Sequence, residues 1–230
     1  FAPIMLHLRG ENLVNEVCIS ADLLANEPYI VNVIEGMDFV CKVMDSESNH
    51  SAEWILATSI IPQNEKGYVY PNVQEIEMLR FFGKEKSDIR SNHLLDEAPK
   101  KIFVLRRNGS ERHIINSQEI YNELLSRGWI LVDLQEKTWE VQVELFRCAS
   151  VVAGISGAGL SNIVWMREGT KVLELIPNEE VKWHYATIAK ICGVKHEMFP
   201  VSVETFALNS KRPLGCRVDL SSFVTILDTM

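Results

Sequence analysis

The chain has no long apolar run, little glycine and no paired cysteine motif. No stretch approaches the roughly 18 apolar residues that span a bilayer, and 12 glycines and 8 prolines among 230 residues exclude a collagen-like or low-complexity protein. Lys and Arg number 23 against 31 Asp and Glu, so the net charge is −8. This acidity argues against a broad nucleic-acid or anionic-membrane surface, because such surfaces usually carry a basic excess. We therefore expect a globular protein.

The five cysteines are spread singly along the sequence, with no CxxC pair. An odd number would leave one thiol unpaired in a secreted protein, so a reducing compartment is expected and we predict a cytoplasmic location. The first residue is Phe1, and no charged segment precedes an apolar core. This beginning is typical of an excised internal domain or a processed product.

The first half of the sequence indicates short mixed elements. Residues 12–26 predict a helix that ends before Pro28, because their apolar side chains share one stripe, formed by Leu13, Val17, Ala21 and Leu24. Strands are predicted at 29–34, 39–43 and 54–61, and a further helix at 73–82. The polar stretch 84–100 is the predicted linker. The predicted domains are therefore 1–97, on the acceptor side, and 98–230, which would bind the donor.

In the second half, apolar runs alternate with amphipathic segments. The runs occupy residues 102–105, 129–132, 151–153 and 171–176, and the segments occupy 118–127, 138–148 and 183–192. The first of these helical segments ends at Gly128, which suits a left-handed cap. Strands that are apolar on both faces and alternate with ten-residue helices are typical of βαβ units. We predict an α/β fold whose second half is a Rossmann-like parallel sheet with helices on both faces.

The loop after the first of these strands carries the densest positive cluster of an acidic chain. It contains Arg106, Arg107 and Arg112, with Lys100 and Lys101 just ahead of the strand. Ligands of open α/β sheets bind outside the carboxyl ends of the strands, and guanidinium groups match phosphate oxygens in a bidentate way. The cluster predicts a diphosphate site, and the alternative is a solvated turn with surface ion pairs.

The loop after the third strand is rich in small residues, from Gly154 to Asn162. Small side chains let the backbone approach a ligand closely, and amides at the start of the next helix can receive an anion. The glycine spacing is GxxGxG and differs from the GxGxxG of dinucleotide sites. The loop is a second candidate for the phosphate site, and the alternative is a tight turn that needs glycine for packing.

Three polar residues each have two interpretations. Asn116 and Glu119 form a capping-box pattern, which we favour over a ligand contact for Asn116. Gln142 is either a site residue or a half-buried spacer on its helix. Glu174 lies inside a predicted strand, where a carboxylate is costly to bury unless it is paired or bonded to a hydroxyl. A ribose contact is therefore predicted for Glu174.

Three segments follow one another in a specific order and spacing: VLRRNGSERHIINSQEI, then a GAGLSN turn followed by GTKVLEL, then HYATIAKICGV. Over residues 100–194 this arrangement resembles the catalytic region of glycosyltransferase family 61. The resemblance implies an inverting, metal-independent transferase of GT-B architecture with two Rossmann-like halves. Its second half would hold a nucleotide-sugar donor, no further cofactor is implied, and the acceptor would be a hydroxyl of a glycan or glycoprotein.

The resemblance also implies roles for individual residues. Arg106 and Arg112 would neutralise the donor diphosphate, the glycine-rich turn would lie against it, and Glu174 would lie near the ribose. Arg107 is expected to matter less, because strand alternation points it away from Arg106. The predicted donor-binding residues are Arg106, Arg107, Arg112, Asn116, Ser156, Gly157, Ala158, Gly159, Asn162 and Glu174.

The catalytic base is expected from the first half of the chain. The acceptor hydroxyl loses a proton as it attacks the anomeric carbon, which calls for a carboxylate or an imidazole. Glu11, which follows the apolar run 4–8, is the predicted catalytic residue, with His7, Glu16 and Asp22 as alternatives. No DxD pair is present where a metal could bridge the phosphates, so no metal site is predicted and the arginines would stabilise the leaving group.

Two positions depart from the family pattern. Ser156 stands where the family usually has His ahead of the GAG triplet, and Asn15 stands where a helix matched to residues 10–22 often carries His. These departures favour a second hypothesis, a nucleotide-sugar-binding pseudoenzyme of the same fold. A third hypothesis is an unrelated Rossmann-like enzyme that binds NAD(P) or S-adenosylmethionine, which is disfavoured because those sites do not need three arginines.

Overall fold

The structure, a computed structural model, describes residues 16–20, 40–44, 73, 76–77, 79–81, 100–106, 112–177, 183–206 and 213–230. The chain forms two compact units, residues 1–86 and 87–230. The acceptor and donor roles given to domains 1–97 and 98–230 stay predictions.

In the first unit, strands β1 (Glu16–Ser20) and β2 (Val40–Met44) pair in parallel. Strand β2 confirms the strand predicted at 39–43, and helical backbone at 73, 76–77 and 79–81 agrees with the predicted helix. The helix predicted over 12–26 is wrong at β1. Its β-branched Val17 and Ile19 suit a pleated surface, and the ladder with β2 outweighs a weak helical stripe. The strands predicted at 29–34 and 54–61 lie outside the described residues.

The second unit contains a seven-stranded sheet and four described α-helices. The strands, in chain order, are β3 (Lys101–Val104), β4 (His113–Ile114), β5 (Ile130–Val132), β6 (Val151–Ile155), β7 (Lys171–Pro177), β8 (Lys195–Phe206) and β9 (Pro213–Arg217). The helices are α1 (Ser117–Ser126), α2 (Trp139–Cys148), α3 (His184–Cys192) and α4 (Leu220–Leu227). Two 3₁₀ helices span Leu134–Glu136 and Ala158–Trp165.

Five neighbouring strands of this sheet run parallel, in the order β5-β3-β6-β7-β8. Numbered along the chain, they follow the order 2-1-3-4-5 of a doubly wound sheet, which reverses between β3 and β6. Strand β9 pairs antiparallel with β8, and β4 pairs parallel with β9 at the edge. The predicted parallel sheet is confirmed, and β8, β9 and α4 extend beyond the predicted elements.

Side chains alternate between two faces of the sheet. Phe103, Ala153 and Leu173 point to a core that also contains buried side chains of α1 and α4. The 3₁₀ helix Ala158–Trp165 contacts α2 and α3, and its Leu160 lies over Gly154, a strand residue on the opposite face. Burial of both faces explains why the strands are almost continuously apolar.

Candidate functional site

Arg106 and Gly157 meet at the point where the strand order reverses. Arg106 follows β3 and Gly157 follows β6, and these two strands are neighbours. A Cβ built on Gly157 would lie 2.2 Å from Arg106 Nη1, so the guanidinium rests against the Gly157 backbone. The φ of Gly157 is 171°, which is extended backbone. A side chain at this position would therefore displace the Arg106 guanidinium.

Arg112 binds the same turn. Its Nη1 donates a hydrogen bond of 2.5 Å to the carbonyl oxygen of Ser156, a residue that is only 8% exposed. The φ of Arg112 is 63°, the one positive value at a non-glycine residue in the described ranges. Strained backbone of this kind persists where the surrounding structure fixes it, and it clusters at functional sites. The hydrogen bond to Ser156 is one such constraint.

Two buried side chains experience the charges of both arginines. Burial raises the pKa of the Tyr185 hydroxyl and of the Cys216 thiol, the latter to about 11. Arg106 and Arg112 act against burial and lower the pKa of both groups. The two guanidinium groups therefore share one positive region at the carboxyl edge of the sheet.

Tyr185 is a site residue that motif analysis missed. It is the second residue of α3 and is 9% exposed, and the Ser161 side chain of the 3₁₀ helix lowers its pKa. After burial, the Glu174 carboxylate is the next cause that raises the Tyr185 pKa. The sequence signal is the His-Tyr pair that opens the third matched segment, but a helical pattern does not show which strand end its residues face.

Glu174 forms a buried pair with His196. The carboxylate is 1% exposed, and its Oε2 lies 2.9 Å from Nε2 of His196, whose side chain is 8% exposed. The other oxygen, Oε1, is buried without a hydrogen-bond partner among the described residues. The structure thus supplies a partner for the buried carboxylate, whereas the ribose contact stays a prediction.

Asn162 and Gln142 hold the glycine-rich turn in place. Asn162 Nδ2 donates to Gln142 Oε1 at 3.1 Å and to the Gly159 carbonyl at 3.2 Å, and its Oδ1 accepts from Trp165 Nε1 at 3.0 Å. Gln142 Nε2 donates to two backbone carbonyls in and after the 3₁₀ helix Leu134–Glu136. Both amides bind within the protein, which favours the spacer interpretation of Gln142 and a positioning role for Asn162.

Asn116 anchors the segment that follows Arg112. It occupies the N-cap position of α1, but its side chain makes no capping hydrogen bond, so the capping-box prediction is wrong for this side chain. Its Nδ2 instead donates to the Val218 carbonyl at 2.9 Å, and its Oδ1 accepts from the Val218 amide at 3.1 Å. The Val218 backbone thus pairs with both ends of the amide, and Nδ2 also donates to Glu119 Oε2 at 3.4 Å.

The remaining small residues of the turn have different surroundings. A Cβ on Gly159 would lie 3.1 Å from both Leu134 Cδ1 and Val104 Cγ1, so this glycine serves packing against β3. Ala158 is exposed at the start of its 3₁₀ helix. The packing interpretation of the turn is therefore favoured at Gly159, and the donor contacts of Ser156, Gly157, Ala158 and Gly159 stay predictions.

The predicted positive cluster is divided between the two ends of β3. Lys100 and Lys101 lie at the amino end, where the Lys101 ammonium is 6.0 Å from the centre of the Trp129 ring, a cation–π distance. Arg106 lies at the carboxyl end. Arg107 is outside the described residues.

The predicted bases belong to the first unit. Glu11, His7, Asp22 and Asn15 lie outside the described residues. Glu16 begins β1, so the helix matched to 10–22 is wrong at this strand, for the reason given above.

The described residues contain neither a metal-ligand cluster nor a membrane-spanning helix. Across the described ranges, no three His, Cys, Asp or Glu side chains come together as a metal site. No described helix is long and apolar enough to cross a membrane.

The strand order and the two arginines define an α/β protein with a positively charged site at the carboxyl edge of its sheet. In a comparison with protein families, the model described as Glycosyltransferase 61 matches residues 25–173, more than half of the chain. The chain belongs to glycosyltransferase family 61, which confirms the resemblance and implies a sugar donor and an acceptor as substrates. The matched range contains both arginines and the turn, and ends just before Glu174. A comparison with curated proteins finds no match.

Proposed function

We propose that the chain transfers a sugar from a nucleotide-sugar donor to a hydroxyl of a glycan or glycoprotein. The proposed reaction proceeds with inversion and without a metal, on two Rossmann-like halves arranged as in GT-B enzymes. One observation carries the proposal: Arg106 and Arg112 converge on the turn after β6, where the strand order reverses. Doubly wound sheets bind their ligands at this point.

The two arginines suit a diphosphate in particular. Both guanidinium groups can offer several N–H donors in a fixed plane, and charge-assisted hydrogen bonds to phosphate are about twice as strong as neutral ones. Arg112 uses one of its donors on Ser156, which leaves the rest of the fork for a ligand. The Ser156 hydroxyl can add a hydrogen bond to phosphate but carries no charge. The arginines thus supply the positive charge that the proposed metal-independent reaction requires.

The reaction itself requires a base and a stabilised leaving group. The acceptor oxygen attacks the anomeric carbon from the face opposite the nucleotide, and the bond from that carbon to the phosphate oxygen breaks. The electron pair of the broken bond passes to the diphosphate, where Arg106 and Arg112 stabilise the developing charge. The acceptor proton passes to a base, for which we propose Glu11.

A nucleotide-sugar-binding pseudoenzyme is the second candidate function. It is favoured by Ser156, a buried residue whose carbonyl is engaged by Arg112 and whose hydroxyl cannot replace the imidazole usual in the family. The NAD(P) or S-adenosylmethionine hypothesis is set aside because the chain belongs to a glycosyltransferase family.

Binding of nucleoside diphosphates in the presence of EDTA tests the proposed function. We expect UDP or another member of a nucleoside diphosphate panel to raise the melting temperature, because guanidinium groups replace a metal ion at the phosphates. The effect should persist in EDTA. Loss of binding in EDTA contradicts metal independence, and no binding to any member contradicts a nucleotide-sugar site.

Donor hydrolysis separates the enzyme from the pseudoenzyme. A transferase with a working base should release free sugar slowly from the donor that it binds, whereas a pseudoenzyme should bind the donor and leave it intact. Ser156→His provides the second arm. Restored imidazole should maintain or raise turnover in an active transferase and should change nothing in a protein that lacks a base elsewhere.

A further inference from the structure

The Glu174–His196 pair is only half satisfied. Glu174 Oε2 is bound by His196 Nε2 at 2.9 Å, while Oε1 is buried and has no partner among the described residues. A buried acceptor without a hydrogen bond is costly, and each such group in a native structure requires an explanation. A ligand hydroxyl that donates to Oε1 supplies one.

Strand pairing does not explain the pair. Strands β7 and β8 are already paired in continuous register from Lys171 opposite Lys195 to Pro177 opposite Val201. Buried ionisable pairs are often replaced by apolar residues with little or no loss of stability. The backbone ladder accounts for the pairing of β7 and β8 without these two side chains, which favours a role for the pair in binding.

The strand register shows from which side His196 reaches Glu174. His196 is opposite Val172 and Glu174 is opposite Met198, so His196 approaches the carboxylate from the amino end of the sheet. Ser156, whose carbonyl accepts from Arg112, donates its amide to the carbonyl of Leu175, the residue after Glu174, so Arg112 lies in the same neighbourhood. The carboxylate therefore stands between a fixed imidazole and the positive site at the carboxyl edge.

We propose that His196 is a positioning residue, which holds Glu174 so that Oε1 accepts a hydrogen bond from a ribose hydroxyl of the bound nucleotide. The proposal rests on the proposed nucleotide-sugar function. Because Oε1 is fully buried, the hydroxyl reaches it after a covering side chain moves.

The experiment compares ribonucleotides with deoxyribonucleotides in three proteins. The nucleoside diphosphate with the largest thermal shift in the panel, and its 2′-deoxy and 3′-deoxy forms, are titrated by calorimetry into the wild type, His196→Leu and His196→Gln. The wild type should prefer the ribonucleotide over one deoxy form by about tenfold to a hundredfold, as expected for a hydrogen bond to a charged group. His196→Leu should lose this preference. His196→Gln should retain most of it, because the Gln amide nitrogen can take the place of Nε2.

Two results overturn the inference while the proposed function stands. One is a wild type that binds both deoxy forms as tightly as the ribonucleotide, and the other is a folded His196→Leu protein with an unchanged preference. A purely structural role would lower the affinity for all three ligands equally. If His196→Leu does not fold, Glu174→Leu serves instead, because it removes the acceptor and the buried charge together, and an unchanged preference in that variant overturns the inference. Absence of binding to every nucleoside diphosphate overturns the proposed function as well.

Discussion

Gly157→Ala offers a test of the site that separates binding from folding. The new Cβ would stand 2.2 Å from Arg106 Nη1, whereas carbon and nitrogen atoms in contact lie about 3.5 Å apart, so the guanidinium must retreat by over 1 Å. A misplacement of about 1 Å is enough to break a charge-assisted hydrogen bond to phosphate, which is worth about 1.5–3 kcal/mol. Nucleoside diphosphate affinity should therefore fall by about tenfold to a hundredfold.

The fold should tolerate the same change. The clashing atom is the end of a flexible side chain, and the extended backbone of Gly157 is open to alanine. Replacing glycine at a compatible position raises stability by about 0.4–1 kcal/mol, because it restricts the unfolded chain. Denaturant unfolding of Gly157→Ala should therefore match or slightly exceed the wild type.

Gly159→Ala is the matched control. Its Cβ would press on Leu134 and Val104, at 3.1 Å from each, and would not approach Arg106. This variant should lose stability by about 1 kcal/mol through overpacking and should retain most of its affinity. If folded Gly157→Ala binds nucleoside diphosphates as tightly as the wild type in calorimetry, the assignment of Arg106 to the diphosphate is refuted.

Four further predictions concern single side chains. Arg112→Ala should weaken nucleoside diphosphate binding in calorimetry by about 1.5–3 kcal/mol. Arg127→Ala is the control, because it removes a guanidinium that is bound to Glu123 and Asp228, and it should leave the affinity unchanged. Equal losses of affinity in both variants would show that the effect comes from net charge alone. Tyr185→Phe should weaken binding by about 0.5–1.5 kcal/mol through loss of one hydroxyl, and an unchanged Kd would exclude Tyr185 from the site. Asn116→Ala should lower the free energy of unfolding by about 1–3 kcal/mol, because the amide and the carbonyl of Val218 both lose their hydrogen bond to the Asn116 side chain. An unaltered denaturation midpoint would show that water replaces this side chain. Asp219 caps α4, and its hydrogen bonds with Ser222 and then Ser221 lower its pKa. The stability that the charged cap contributes is present above about pH 4 and is lost as the pH falls through the lowered pKa. The Tm difference between wild type and Asp219→Ala should therefore be larger at pH 7 than at pH 3, and a constant difference would contradict a charged cap.

The parallel sheet could be predicted because its signals are local. Strands buried on both faces leave continuous apolar runs. Two of the helices between them, α1 and α3, end at glycines that the structure shows in left-handed conformation, Gly128 with φ 74° and Gly193 with φ 68°. The first half lacked such signals. At β1 the apolar spacing of four residues predicts a helix, whereas the β-branched residues Val17 and Ile19 suit a strand. Only the pairing with β2 decides between the two.

The arginines and the turn could be predicted because they follow strands directly, where the chain order itself marks the ligand edge. The partners of Glu174 and Asn116 could not. His196 is 22 residues from Glu174, and Val218 is 102 residues from Asn116. Their meeting depends on the register between β7 and β8 and on the path of β9, neither of which leaves a periodic trace in the sequence.

The long-range tie between Asn116 and Val218 also governs when the site can form during synthesis. Arg112 precedes β4, a strand of two residues whose described ladder partner is β9, and the Asn116 side chain holds the backbone just beyond β9. Contacts of such large sequence separation close late, because the loop entropy must be overcome first. On the ribosome, the parallel strands can pair while the segment after Arg112 still lacks its partners, since β9 and Val218 emerge after these strands. The second unit should therefore become a compact sheet before Arg112 is held against the turn after β6.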